Sequence, residues 1–227
     1  MSCPRCGGSV RPPDLMHSEW RCDGCGPVPP LHVAEHIGAD IVASATERVI
    51  EGSAGGRPQV PVWCPWPLLP GWTMTGVAWA GDERTGVRAT AVACSGPAPL
   101  GDGPADLLLV AEEPGVGLGT RLAGIEGPDP GARLAAAMGW PEAGRAGHPP
   151  HAKIKAAGHP TPLWMVESTA DRSAYVGEAR GLWLYAIAWP ADAGYLFAED
   201  LALQDLVEWL PPELVYGAPS PHLPGRA

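Results

Sequence analysis

Four of the six cysteines fall within the first 25 residues, as Cys3-Pro4-Arg5-Cys6 and Cys22-Asp23-Gly24-Cys25. Two Cys-x2-Cys pairs set fifteen residues apart match the spacing of a four-thiolate metal site. Two intervening residues let both sulfurs of a pair face one ion, and Gly7 and Gly26 permit the tight turn that aims backbone N–H groups at the thiolates. Cys3, Cys6, Cys22 and Cys25 are therefore read as ligands of a structural Zn2+ in an N-terminal zinc ribbon. With four protein ligands and no open position, such an ion holds the fold and does not activate water. Spacing alone leaves a rubredoxin-type iron open. Two redox Cys-x-x-Cys pairs are the competing reading, but a thioredoxin-type motif comes singly, on a strand–helix unit. His17 lies between the pairs and is a substitute ligand by residue type only.

Elsewhere the candidate chemistry is less specific. Cys94 ends an apolar run and precedes Ser95-Gly96-Pro97, a place where acyl-transfer nucleophiles can be presented. His148, His151 and His159 supply bases and Asp171 an orienting acid, though no local signature joins them. The alternative for Cys94 is a buried, inert thiol. Gly115-Val116-Gly117-Leu118-Gly119 follows an apolar strand and suggests a phosphate loop, but Thr120 stands where a dinucleotide fingerprint needs Gly or Ala, and Glu112-Glu113 puts negative charge where phosphates would sit. A flexible turn is the simpler expectation. Lys153 and Lys155 alternate on a strand and read as a solvated face. Trp63, Trp66 and Trp72, set among prolines, read as core packing and not as an aromatic binding surface. Trp183 and Trp189 lie six apart on a strand, hence on one face.

Val33, Ile37, Ile41, Ala45 and Val49 recur every four residues and predict an amphipathic helix over 33–51, with Asp40 as an alternative start and Gly52 as a left-handed stop. After a small-residue linker, short apolar runs bounded by Gly and Pro predict strands at Thr73–Ala80, Val87–Cys94, Leu107–Glu112, Ala152–Ala157, Leu163–Glu167, Ala174–Gly177 and Leu182–Trp189. Short helices are expected at Ala132–Met138 and Glu199–Leu210, an exposed loop at 139–150 and an irregular tail after Pro211. The organisation expected is a zinc ribbon over 1–30, a connecting helix and linker over 31–60, an α+β body with a mostly antiparallel sheet over 61–210, and a C-terminal tail over 211–227.

The ribbon, together with Val62-Trp63-Cys64-Pro65-Trp66-Pro67, Arg88-Ala89-Thr90-Ala91-Val92-Ala93-Cys94-Ser95-Gly96-Pro97, Val116-Gly117-Leu118-Gly119 and Gly181-Leu182-Trp183-Leu184, resembles an uncharacterised actinobacterial family, a domain of unknown function. The resemblance covers nearly the whole chain. It implies a bacterial cytoplasmic protein and brings no activity, cofactor or catalytic residue. In that family's pattern His can replace the equivalent of Cys25, which suits zinc better than iron, and other residues can replace Cys64.

Composition sets the outer bounds. The 227 residues carry 15 Lys and Arg against 25 Asp and Glu, a formal net charge of −10, so a nucleic-acid or anionic-membrane contact would need a local basic patch. The ribbon balances Arg5, Arg11 and Arg21 with Asp14, Glu19 and Asp23. No basic segment leads into an apolar signal, and the longest apolar run, Leu182–Trp189, is far short of the roughly 20 residues of a membrane helix. The reading that follows is a cytoplasmic, non-enzymatic zinc-ribbon protein that binds another protein or a small ligand. The alternative is an enzyme built on Cys94 with a histidine, or on the Gly115–Gly119 loop.

Overall fold

The structure, a computed structural model, describes residues 1–53, 59–139, 147–198 and 201–223. Three two-residue strands, β1 (Val10–Arg11), β2 (Arg21–Cys22) and β3 (Gly26–Pro27), form the small sheet of the ribbon. The body follows with β4 (Leu31–Val33), α1 (Ala39–Gly52), β5 (Trp63–Pro65), β6 (Thr73–Asp82), β7 (Gly86–Pro97), β8 (Pro104–Glu112), α2 (Leu118–Ala123), α3 (Gly131–Ala137), β9 (Ala152–Ala156), β10 (His159–Val166), β11 (Ser173–Ala179), β12 (Leu182–Trp189), a 3-10 helix (Ala191–Ala198) and β13 (Ala202–Asp205). Ten strands make one sheet in the order β4-β6-β7-β8-β12-β11-β10-β9-β13-β5, antiparallel except where β13 runs parallel to β9. The fold class is α+β, as the spacing of short strands predicts.

The central strands are buried on both faces, and for that reason they read as unbroken apolar runs instead of alternating ones. In β8, Leu107 and Leu109 enter one core with Val92, Cys94, Leu184 and Ala186, while Leu108 and Val110 enter a second with Tyr185 and Ile187. The first core is covered by α1 and the 3-10 helix, through Val42, Ala45, Val49 and Phe197; the second is covered by α2 and α3, through Leu118, Leu122 and Leu134. Trp183 and Trp189 share the second face, and Trp63 and Trp72 are buried in the first.

Differences from the expected elements have local causes. Residues 31–33 are a strand and α1 starts at Ala39, after Gly38 in extended conformation, close to the alternative start at Asp40. Gly52 is inside the helix and not a left-handed stop. Its role is close approach, since a Cβ there would sit 2.7 Å from the Val87 nitrogen. The helix expected over Glu199–Leu210 is instead β13 followed by a turn, residues 199 and 200 lying outside the described ones. There Leu203 and Asp205 point inward with the period of two of a strand. The pairing is secured by the buried Asp205 carboxylate, which accepts N–H bonds from Val62 and Val207 and an ion pair from Arg180. Arg180 also lies over the Trp63 ring at 5.2 Å. The tail after Pro211 is irregular but packed: Tyr216 bridges Met74, and Leu214 and Leu223 are buried. Of the expected loop at 139–150, residues 140–146 lie outside the described ones, and the 147–149 stretch is exposed.

Candidate metal centre

Each cysteine pair sits on a tight turn. The Cys3 N–H donates to the Gly8 carbonyl at 2.7 Å and the Gly7 N–H to the Cys3 carbonyl at 2.9 Å. Gly7 and Gly26 take φ of 78° and 75°, a region that side chains disfavour. Pairing of Val10 with Cys22, and of Cys22 with Gly26, carries the second turn over the first. The four Sγ atoms of Cys3, Cys6, Cys22 and Cys25 all lie within 4.8 Å of one another, and Cys6 and Cys22 are 3.5 Å apart. A tetrahedron of thiolates around zinc has an edge of about 3.8 Å, set by Zn–S bonds of about 2.3 Å. The donor set and its dimensions therefore fit one such ion. His17 is exposed, with Nδ1 against the Met16 carbonyl, and is not in the cluster.

The thiols influence one another. Burial pushes Cys3 up to about 12, while at Cys22 the cost of burial is outweighed by N–H bonds from Cys25 and Gly24, which bring it down to about 7. Four sulfurs this close cannot all ionise by themselves; a divalent cation among them removes that conflict.

Arg5, inside the first pair, ties the ribbon to the body. Its guanidinium donates to the carbonyls of Gly115 at 2.5 Å, Val116 at 3.3 Å and Cys25 at 3.2 Å. Ser2 and Leu31 exchange backbone bonds of 3.1 and 2.8 Å, which joins the ribbon to edge strand β4. Half-buried Arg121 of α2 reaches the first turn, its Nη1 lying 3.1 Å from where a Gly7 Cβ would be. Burial lowers the Arg121 pKa and the Cys3 and Cys6 sulfurs raise it, which places a positive charge beside a thiolate-rich centre. These contacts, and not the apolar stripe of α1, fasten the ribbon to the body: that stripe belongs to the first body core. The ribbon's own core is Cys3, Cys22 and Val28, with Leu15 and Met16 fully exposed. Between ribbon, the β6–β7 hairpin and the end of α1 lies an open cavity of about 720 Å³.

The turn expected at Gly115–Gly119 is present at residues 114–115 and runs on into α2. Gly117, with φ of 84°, leads into α2, and the fully buried Glu112 carboxylate takes the N–H groups of Leu118 at 2.8 Å and Gly119 at 3.1 Å. The chain's own carboxylate fills the place a phosphate would need. Asp129 takes the Gly115 N–H. Burial raises the Glu112 pKa to about 7, against partial relief from those two N–H groups.

Cys94 is buried, paired across strands with Met74 and Leu107 and adjacent to the Cys64 thiol, and this contact together with burial raises its pKa far above the usual value. Among the described residues no histidine faces the Cys94 thiol. His151 Nδ1 accepts the Met165 N–H, the His148 carbonyl accepts the Trp164 indole, and His159 is exposed. Asp171 is held by Arg172 and the Trp189 indole, with its pKa driven far below the usual range by the Arg172 bond. Lys153 and Lys155 are exposed on β9. A polar chain missed in the sequence runs from Thr75 to Ser95 to buried Asp106, with His222 of the tail 3.5 Å from Asp106. Its signal was one acid inside the apolar run of β8.

The model of one protein family, a family of unknown function (DUF6758), matches residues 1–223, and the chain belongs to that family. Neither the curated proteins nor the solved structures hold a significant match.

Two outcomes follow from these geometries. Between about pH 4.5 and 7 the unfolded chain has released the Glu112 proton and the folded chain keeps it, so this residue makes stability fall as pH rises through that window, by about 3 kcal/mol. Denaturant titrations at pH 5 and pH 8 check it: Glu112→Gln should gain stability relative to the native protein at the higher pH, and equal differences at both would refute the assignment. In timed alkylation near neutral pH, Cys94 should label about 100-fold more slowly than in the denatured chain. Faster labelling than a free thiol would bring the enzyme reading forward.

Proposed function

We propose, since family membership brings no activity with it, that the chain is a zinc-stabilised interaction protein of the bacterial cytoplasm. In this reading Cys3, Cys6, Cys22 and Cys25 hold a structural Zn2+ and the ribbon, fastened to the body through Arg5, forms part of a surface for a partner protein. The observation that carries it is the convergence of four thiols within 4.8 Å in a unit whose own core is three buried side chains. A unit that small needs a further staple. Zinc is preferred to iron because it suits four thiolates without redox chemistry. A partner protein is preferred to nucleic acid because the ribbon has no lysine and as many acids as arginines, beneath an overall charge of −10.

Gently purified protein should contain about one zinc per chain by elemental analysis. A value far below that, with no iron in its place, would remove the reading. Cys22→Ser should lose the metal and disorder the ribbon while the near-ultraviolet signal of the body tryptophans persists, because the two cores are separate. In a gel shift near 150 mM salt, random duplex and single-stranded DNA or RNA should not bind below about 10 μM. Tighter binding weakened by Arg5, Arg11 or Arg21 substitution would overturn the choice of partner.

A further inference from the structure

The body uses one contact twice. Arg180 lies over the Trp63 ring while pairing with Asp205 and Glu208, and Arg172 lies over the Trp189 ring, 4.7 Å from its centre, while pairing with Asp171. In each case a guanidinium is held between an indole face and a carboxylate. The attraction of a cation to the ring quadrupole adds to the ion pair, and the planar guanidinium meets both at once.

The cavity between ribbon and body offers those two partners again. Its walls include Trp20 of the ribbon and Trp79 of β6, with Glu51, Asp82 and Glu83 among the lining. Trp79 is stacked in parallel on His32 at 5.3 Å, and burial keeps that imidazole below its usual pKa, so a neutral ring backs the indole. Among the described residues no guanidinium lies over Trp20 or Trp79. Arg48, Arg84 and the Met1 amine also line the space and balance its three carboxylates; Arg48 faces Glu51 at 3.7 Å, which leaves Glu83 without an ion pair among the described residues. Asp82 accepts the Thr85 hydroxyl and the backbone N–H groups of Thr85 and Arg84, which lower its pKa against the cost of burial. The cavity belongs to a protein whose net charge of −10 draws cations. A volume of about 720 Å³ holds a short stretch of chain and not merely one side chain.

We propose that this cavity binds an arginine-bearing segment of a partner protein, with the guanidinium placed on the indoles of Trp20 and Trp79 and paired with the carboxylates of Glu51 or Glu83. The proposal rests on the interaction-protein reading above and names the chemistry of its partner. It also gives the ribbon a role, because Trp20 directly precedes the strand that carries Cys22.

The probe is the peptide acetyl-Gly-Arg-Gly-Arg-Gly-amide, titrated into zinc-assayed full-length protein and followed by assigned indole N–H resonances. The Trp20 and Trp79 signals should shift and saturate together. The same peptide with citrulline, which keeps the shape and loses the charge, should bind at least tenfold more weakly. Glu83→Gln, an exposed change that spares the fold, should weaken the arginine peptide several-fold. Equal binding of the citrulline peptide, shifts spread over the other indoles, or no saturation would each overturn the proposal. Metal content separates the two readings. Failure to bind by protein carrying its zinc refutes the arginine site alone, and binding by protein that never held metal refutes the structural-zinc reading alone.

Discussion

Four cysteine sulfurs packed within 4.8 Å of one another impose the constraint from which the N-terminal architecture follows. As thiols they are a poor core, and as thiolates they repel. The backbone resolves half of this conflict by turning N–H groups toward Cys22, made affordable by glycines at φ of 78° and 75°. The other half needs positive charge. Arg121 brings some from the body, and a divalent ion fits the remaining requirement. Arg5, held between the two cysteines of its turn, converts that local order into attachment, since its direction is fixed wherever Cys3 and Cys6 are fixed.

Loop 115–117 and helix α2 are where the two units meet. From the ribbon side, Arg5 takes the Gly115 and Val116 carbonyls. From the interior, Glu112 takes the first N–H groups of α2. Across the sheet face, Tyr185 lies so close to Gly119 that a Cβ would fall 2.2 Å from its ring. A segment of six helical residues has little stability of its own. It is held here by contacts on three sides, and residues 116–120 of this glycine-rich stretch are buried.

How much of this was legible depended on the range of the interaction. Cysteine spacing is local, and it named the cluster correctly without reference to the rest of the chain. The central strands were legible because burial on both faces leaves an uninterrupted apolar run, as at Leu182–Trp189. At 199–210 the same kind of signal misled: Leu203 and Leu206 are both buried, which mimics a helical face, but the deciding contact is the ion pair of Asp205 with Arg180, 25 residues away. Strands β4 and β5, three residues each, exist only because longer partners accept them. The docking of the ribbon is likewise illegible, since carbonyl groups offered by a distant loop leave no trace in side-chain pattern.

The polar groups inside the sheet show the same dependence on distant partners. Glu112, Asp106 and Asp205 lie in or next to apolar runs, and each meets N–H or hydroxyl donors that arrive from another element: α2 for Glu112, Ser95 of β7 for Asp106, and the approach to β5 for Asp205. An acid in such a place costs stability unless those donors are present, so each one specifies a register more sharply than the leucines around it. A one-residue slip of β8 against β7 would leave the apolar faces nearly interchangeable, because both are covered. It would also separate Ser95 from Asp106 and move Glu112 off the start of α2. The buried carboxylates thus fix the alignment that two apolar faces alone would leave loosely determined, and with it the position of the loop on which the ribbon is fastened.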